Sequence, residues 1–321
     1  MMEHGGNLDV AIARFGGRVE DWIDLSTGIN RRPYPVGGVE ERHWRALPSR
    51  AEVDALHEAA RQAYGTTAPV LATAGAQAAI QLLPRLAPPG RARILAPTYN
   101  EYAPVLREAG WTVEEVEDFA ALAGADLAVV VNPNNPDGRG SDPAHLLASL
   151  PRVGRLVIDE SFADAQPGLS LAAEAGRAGL LLLRSFGKFF GLAGLRLGFV
   201  LGCEADIADL AVMAGPWPVS GIAIEIGRRA LADRAWAVAT TARLLRDAAR
   251  LDALARGAGW KLVGGTPLFR LYEVGDATAA QERLGRAHIW SRIFGGRAGW
   301  LRLGLPGSDA EWARLETALE P

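Results

Sequence analysis

The sequence predicts an α/β protein: a large domain built on a mostly parallel sheet flanked by helices, with a smaller α+β domain after it. Three observations carry that expectation. Short apolar runs alternate with helical stretches between residues 70 and 201. One of those runs, Leu127–Val131, is apolar without a break, as strands are when both faces of a sheet are covered. After Pro218 the rhythm changes to long helical stretches followed by short strands.

The elements follow in chain order. Val70–Thr73 reads as a strand and Ala76–Leu86 as a helix. Arg93–Ala96 is the next strand, followed by a helix over Glu101–Ala109. Leu127–Val131, Leu156–Ile158, Leu180–Leu183 and Leu197–Leu201 continue the strand series, with a helix at Leu146–Leu150. Ile222–Leu231 and Trp236–Arg256 are helical; in the second, Leu244, Leu251 and Leu254 recur at helical spacing. Strands are expected at Pro267–Tyr272, Ile289–Ile293 and Trp300–Leu303, with a helix at Ala277–Arg286. A closing helix covers Asp309–Leu319, capped by Ser308 or Asp309. The first 45 or so residues read as loop-rich. The expected boundaries are an N-terminal arm that forms part of the small domain (1–47), the large domain (48–234) and the small C-terminal domain (235–321).

Bulk properties narrow the function classes. A chain of 321 residues that is 49% hydrophobic can bury a large core and suggests about two domains. A net charge of −3 and scattered arginines supply no basic field for nucleic acid. The single cysteine, Cys203, allows no internal disulfide and fits a reducing cytoplasm. No apolar run approaches the roughly 20 residues that span a bilayer, so no membrane partner is expected. The five histidines are dispersed, and no metal-ligand spacing appears.

The 34 basic residues include only two lysines, Lys188 and Lys261. Arginine keeps its proton far above physiological pH, whereas a lysine amine is deprotonated when its pKa falls and can condense with a carbonyl. Lys261 has no motif around it. Lys188 lies in Ser185-Phe186-Gly187-Lys188, within a glycine-rich stretch that ends at Arg196-Leu197-Gly198. In that stretch Ser185 and Arg196 can hold a phosphate. Three further elements follow or close strands, where open α/β sheets build their sites. Thr73-Ala74-Gly75-Ala76-Gln77 sits at a strand-to-helix junction, where backbone N–H groups bind phosphate, although a tight turn would look the same. Asn132-Pro133-Asn134-Asn135-Pro136-Asp137-Gly138 offers amide donors in a turn fixed by prolines. In Val157-Ile158-Asp159-Glu160-Ser161-Phe162, an aspartate closes an apolar strand and needs a partner, which a protonated ring nitrogen or a helix cap would supply.

Together these four elements resemble the fold type I pyridoxal-phosphate enzymes of the aspartate aminotransferase superfamily, and within it the histidinol-phosphate aminotransferase-like branch. The resemblance covers most of the chain and keeps the motif order. It implies pyridoxal 5′-phosphate as cofactor, with Lys188 bonding to its aldehyde and Asp159 pairing with its ring nitrogen. It further implies Asn135 at the ring hydroxyl, Tyr99 stacked on the ring, and Gly75, Ala76, Gln77, Ser185 and Arg196 around the phosphate. A homodimer with sites at its interface belongs to the same implication.

Departures from the pattern narrow the branch. Phe162 stands where most relatives carry a hydrogen-bonding tyrosine. Leu47 stands where they place a tyrosine that reaches the neighbouring subunit's cofactor phosphate. The start His4-Gly5-Gly6-Asn7 and the Asp159–Phe162 segment are similar to the threonine-phosphate decarboxylases of cobalamin biosynthesis. That similarity implies a phosphorylated amino acid substrate, O-phospho-L-threonine, contacted by His4, Gly5, Asn30 and Asn135. Arg292 and Arg302 would take its two anionic groups, in an order the sequence leaves open. An aminotransferase of the histidinol-phosphate type and a phosphoserine decarboxylase are the alternative activities. A non-enzymatic regulator on the same scaffold would need a DNA-binding module, and the strand–helix pattern starts too early for one.

Overall fold

The computed structural model describes residues 5–320. The chain divides into a large unit (34–135 and 139–237) and a small unit (up to 33, 136–138, and 238 onward). The small unit opens with α1 (Leu8–Phe15) and a two-residue strand, β1 (Ile23–Asp24). In the large unit α2 (Arg42–Arg45) and α3 (Arg50–Tyr64) precede β2 (Val70–Thr73), α4 (Ala76–Leu82), β3 (Arg91–Leu95) and α5 (Tyr102–Glu108). Next come β4 (Thr112–Val116), β5 (Leu127–Val131), α6 (Pro143–Ser149), β6 (Arg155–Asp159) and β7 (Leu180–Ser185). The short α7 (Phe186–Phe189), β8 (Gly198–Gly202), α8 (Glu204–Ala214) and α9 (Gly221–Ala232) complete it. Then α10 (Arg234–Gly257) leads to β9 (Lys261–Thr266), β10 (Phe269–Glu273), α11 (Ala277–Arg286), β11 (Ile289–Trp290), β12 (Arg292–Phe294), β13 (Arg297–Gly304) and α12 (Asp309–Leu319).

The large unit's seven-stranded sheet runs β2-β8-β7-β6-β5-β3-β4. Strand β8 is antiparallel to both neighbours, and all other pairs are parallel. This is the mostly parallel sheet the alternating pattern predicts. β5 and β8 are buried along their whole length, and β6 and β7 at all but one position. Leu127, Val129, Val157, Leu181, Leu183 and Val200 form one cluster with Ile80, Tyr102, Leu106 and Leu210 from the helices. Fully burying each aliphatic side chain contributes about 1.5–3 kcal/mol.

In the small unit, β12-β13-β10-β9 form a four-stranded sheet whose neighbours are all antiparallel. β1 pairs in parallel with β11, joining Ile23 to Ile289 in register. Ser308, one of the two cap candidates, is the residue whose hydroxyl caps α12, accepting from Glu311 N at 3.2 Å.

Several elements differ from the sequence reading. The loop-rich first 45 residues also hold the short elements α1, β1 and α2. The expected 76–86 helix is α-helical only to Leu82 and then tightens into a 3₁₀ turn containing Pro84, whose missing N–H ends the regular ladder. The expected strand Ile289–Ile293 divides at Ser291 between two sheets. β4 escapes an apolar-run criterion because it is an edge strand carrying Glu114 and Glu115 outward.

Candidate active site

A cavity of about 170 Å³ opens in the large unit where the sheet's strands hand over to loops. Gly75, Ala76, Gln77, Tyr99, Asn135, Asp159, Ser185, Lys188 and Arg196 all line it, so nine residues singled out in the sequence converge on one space. Parallel pairing explains much of this convergence. Asp159 ends β6, Ser185 ends β7, and the asparagine loop follows β5, so adjacent strands deliver their last residues side by side.

Asp159 is 3% exposed and its carboxylate is oriented from two sides. Tyr102 Oη donates to Oδ2 at 2.8 Å and the Ser161 N–H donates to Oδ1 at 2.9 Å. Burial first, then the neighbouring Asp159 charge, pushes the Tyr102 phenol well above its ordinary value, so it stays a donor. Tyr99, also on the cavity wall, is pushed up to about 12 by burial and then by Glu101 and Asp159. Its hydroxyl donates to Gln77 Oε1 at 3.3 Å, while Gln77 Nε2 donates to Glu101 Oε2 at 3.1 Å.

Lys188 sits in α7, directly after β7, with Nζ 5.6 Å from the Phe162 ring centroid. Phe162 is buried and also lines the cavity. In the asparagine loop the first and second amides hold the loop itself. Asn132 Nδ2 donates to Leu169 O at 3.0 Å, and Asn134 bridges Thr98 Oγ1 (2.6 Å) and Pro97 O (2.9 Å). Asn135 is the amide turned to the cavity.

The start of α4 approaches the sheet closely. Gly75 has φ +79°, and a Cβ there would fall 2.7 Å from Arg196 Nη2. A Cβ on Gly198 would lie 2.5 Å from Ala76 N. Glycine at both positions lets a guanidinium and β8 press against the first turn of α4, where backbone N–H groups lack helical partners. Arg196 itself takes a left-handed backbone, φ 52° and ψ 55°, and donates to Ala193 O at 3.2 Å.

The remaining predicted residues that the structure describes belong to the small unit. His4 lies outside the described residues. Of the others, Gly5 and Arg302 both meet Ser26, and Arg292 pairs with Arg302. A Cβ on Gly5 would lie 2.5 Å from Ser26 O, and Gly6 N donates to Ser26 Oγ at 2.8 Å. Ser26 Oγ donates to Asp24 Oδ1 at 2.5 Å, and Arg302 Nη2 donates to Ser26 O at 2.8 Å. Arg292 is directly opposite Arg302 in the β12–β13 register. Arg302 is 6% exposed and lies 4.9 Å from the Phe269 ring. Burial, and then Arg292, lowers its pKa to about 10, opposed by Asp24. Two guanidiniums this close, one of them buried, favour an anion between them. Sequence reasoning missed Tyr102 and Ser26. Tyr102 carries a signal, an aromatic three residues after Tyr99 at the start of α5; Ser26 meets Arg302 through its backbone carbonyl, which no residue type advertises.

A parallel sheet that delivers a lysine, an aspartate and an anion-holding turn to one cavity defines a class, and the chain belongs to the aminotransferase class I and II family, whose pattern matches residues 40–319. Two relatives are closer in sequence. One is a threonine-phosphate decarboxylase of Sinorhizobium sp, 49% identical, covering 98% of this chain and 97% of its own. The other is a threonine-phosphate decarboxylase of Pseudomonas aeruginosa, 44% identical, covering 99% of this chain and 97% of its own. Among solved structures, a histidinol-phosphate aminotransferase from Sinorhizobium meliloti in complex with pyridoxal-5′-phosphate superposes with a TM-score of 0.81 at 20% identity, covering 97% of this chain and 92% of its own. The fold is therefore that of the fold type I enzymes.

Proposed function

We propose that this chain decarboxylates O-phospho-L-threonine with pyridoxal 5′-phosphate as cofactor, releasing carbon dioxide and 1-amino-2-propanol O-2-phosphate. The observation that carries the reading is its 49% and 44% identity, over nearly the full length, to two threonine-phosphate decarboxylases. The cavity's chemistry fits the cofactor. The glycine cradle at Gly75 leaves room where a Cβ would collide with Arg196, and an amine, a carboxylate, an amide and a hydroxyl share the same wall.

When bound, the cofactor supplies an aldehyde for the substrate amine and a sink for the electron pair left as the Cα–carboxylate bond breaks. The chain's residues do the rest. The amine of Lys188 would hold the aldehyde and, once free, would serve as the proton donor to Cα. Asp159, oriented by Tyr102 and Ser161, would keep a proton on the ring nitrogen. Asn135 would donate to the ring hydroxyl, where Phe162 offers no hydrogen bond. The first-turn N–H groups of α4, with Gln77, Ser185 and Arg196, would hold the cofactor phosphate. Arg292 and Arg302 would take the carboxylate and phosphate of the substrate, with Gly5 and Asn30 as further contacts from the small unit.

The decisive assay supplies O-phosphothreonine to the holoenzyme with no keto acid present. Carbon dioxide release is expected. Amino transfer that requires a keto acid, without gas, overturns the reading in favour of an aminotransferase; O-phosphoserine run alongside reads the preference for the methyl group. We infer a homodimer from the family and from the exposed apolar Trp44, Leu47 and Trp217, which are 66%, 66% and 54% accessible. No helix among the described residues is long and apolar enough to cross a membrane. The lone Cys203 suits a cytoplasmic enzyme.

A further inference from the structure

Asn30 is 2% exposed, and two donors meet its amide oxygen. Arg243 Nη2 donates to Asn30 Oδ1 at 2.8 Å, and the backbone N–H of Arg32 donates to the same oxygen at 3.0 Å. Neither group can accept a hydrogen bond, so only the oxygen end of the amide can face them. The amide is therefore locked with Oδ1 toward Arg243 and with its two N–H donors on the opposite side. Arg243 is itself held: Nη1 meets Asp247 Oδ2 at 3.1 Å, one helical turn along α10. Both partners of that pair are only 16% exposed. Burial lowers the pKa of Arg243, with Arg32 and Arg246 adding to the effect against Asp247.

We propose that Arg243 is a positioning residue for substrate binding: it fixes the Asn30 amide as a donor toward an anionic substrate group. The proposal rests on the decarboxylase reading and on Asn30 as a substrate contact. Its logic is directional. Carboxylate and phosphate oxygens only accept, so Asn30 helps such a substrate solely through Nδ2. A flipped amide would present its oxygen to an anion and turn attraction into repulsion. Arg243 removes the flipped state by a charge-assisted hydrogen bond that a neutral donor would make less strongly.

A double-mutant cycle on the holoenzyme tests this, using Arg243→Met, Asn30→Ala and the pair. Arg243→Met is expected to raise KM for O-phosphothreonine about tenfold with kcat changed less than about threefold, in line with the loss of one uniform binding interaction. In the Asn30→Ala background the same replacement is expected to have no further effect on KM. Arg243→Lys should recover part of the loss, and the cofactor's absorbance should be unchanged in all variants. Asn30→Asp keeps an acceptor for Arg243 but replaces the donor with a charge; it is expected to lose substrate binding while melting like the wild type. Equal KM in Arg243→Met and wild type overturns the proposal, as does an additive cycle. Wild type that releases no carbon dioxide overturns the decarboxylase reading instead. The cycle is then read by calorimetry as Kd for O-phosphothreonine or histidinol phosphate, and binding of neither overturns both.

Discussion

Arg302, proposed to hold an anionic group of the substrate, shows how such a residue can cost the protein stability when no substrate is present. Its guanidinium is buried, lies opposite Arg292, and has its pKa lowered to about 10. A buried cation with a like charge nearby is a poor contributor to folding, and an apolar replacement of similar size is often neutral or stabilising. Arg302→Met is therefore expected to melt within a few degrees of the wild type, or above it, although Ser26 O loses the Arg302 donor. Its function should fail in a separable way. Protein stripped of cofactor cannot turn substrate over, and O-phosphothreonine at about 100 times Kd should stabilise the wild type by about 2.7 kcal/mol. The variant should lose most of that shift in differential scanning fluorimetry. An unchanged ligand-induced shift would remove Arg302 from the substrate site. This residue was nominated in the sequence as one arginine among many; the burial and the opposing Arg292 that single it out come from strand register, which short apolar runs do not encode.

At the scale of elements, legibility follows how strongly local sequence and tertiary packing agree. Strands β5 to β8 were legible because burial on both faces demands unbroken apolar runs such as Leu180–Leu183. The edge strand β4 and the glycine-containing β9 were not, because one is half solvated and the other lacks side chains at Gly264 and Gly265. Helix α3 went unread although Ser49 and Glu52 form a capping box at its start, a signal present in the sequence. The site's strand-end motifs were legible because chemistry restricts their residue types. The close approach of β8 to α4 was not, since Gly198 reads as any glycine until its neighbours are known. That approach makes a prediction. In Gly198→Ala a methyl group would meet backbone, Ala76 N at 2.5 Å and the Gly75 carbonyl carbon at 2.6 Å, so the turn must move. Cofactor affinity, titrated by absorbance, is expected to fall at least about tenfold (~1.4 kcal/mol) with the far-ultraviolet circular dichroism unchanged. Gly194→Ala, where a Cβ meets nothing within 4 Å, is the control expected to bind cofactor normally.

The large unit as a whole is organised so that the two faces of one sheet end do different work. Side chains alternate along a strand, so Asp159 and Ser185 face the cavity while their neighbours Glu160 and Arg184 turn away. There, Arg184 Nη1 meets Glu160 Oε2 at 2.7 Å and Nη2 meets Asp164 Oδ1 at 3.0 Å, with its guanidinium carbon 4.2 Å from the Tyr64 ring of α3. Glu160 also accepts from Leu171 N and Ser170 Oγ, so one cation ties together β6, β7, α3 and the loop after Asp159. Glu160 is 0% exposed and Arg184 4%. Such a network specifies geometry more than it adds stability, but removing its cation strands two carboxylates in a low-dielectric interior. Arg184→Met is expected to lose about 3–5 kcal/mol in urea unfolding at pH 7. The sign of its pH dependence follows from linkage. A stranded buried carboxylate has a raised affinity for protons in the native state, so the native variant binds more protons than its unfolded chain. Its deficit against the wild type should therefore shrink as pH falls from 7 toward 5. Adding Glu160→Gln to Arg184→Met removes one of the stranded charges and should recover part of the loss at pH 7 while flattening that pH dependence. A deficit that is the same at both pH values would mean the loss comes from packing against Tyr64 and not from uncompensated charge.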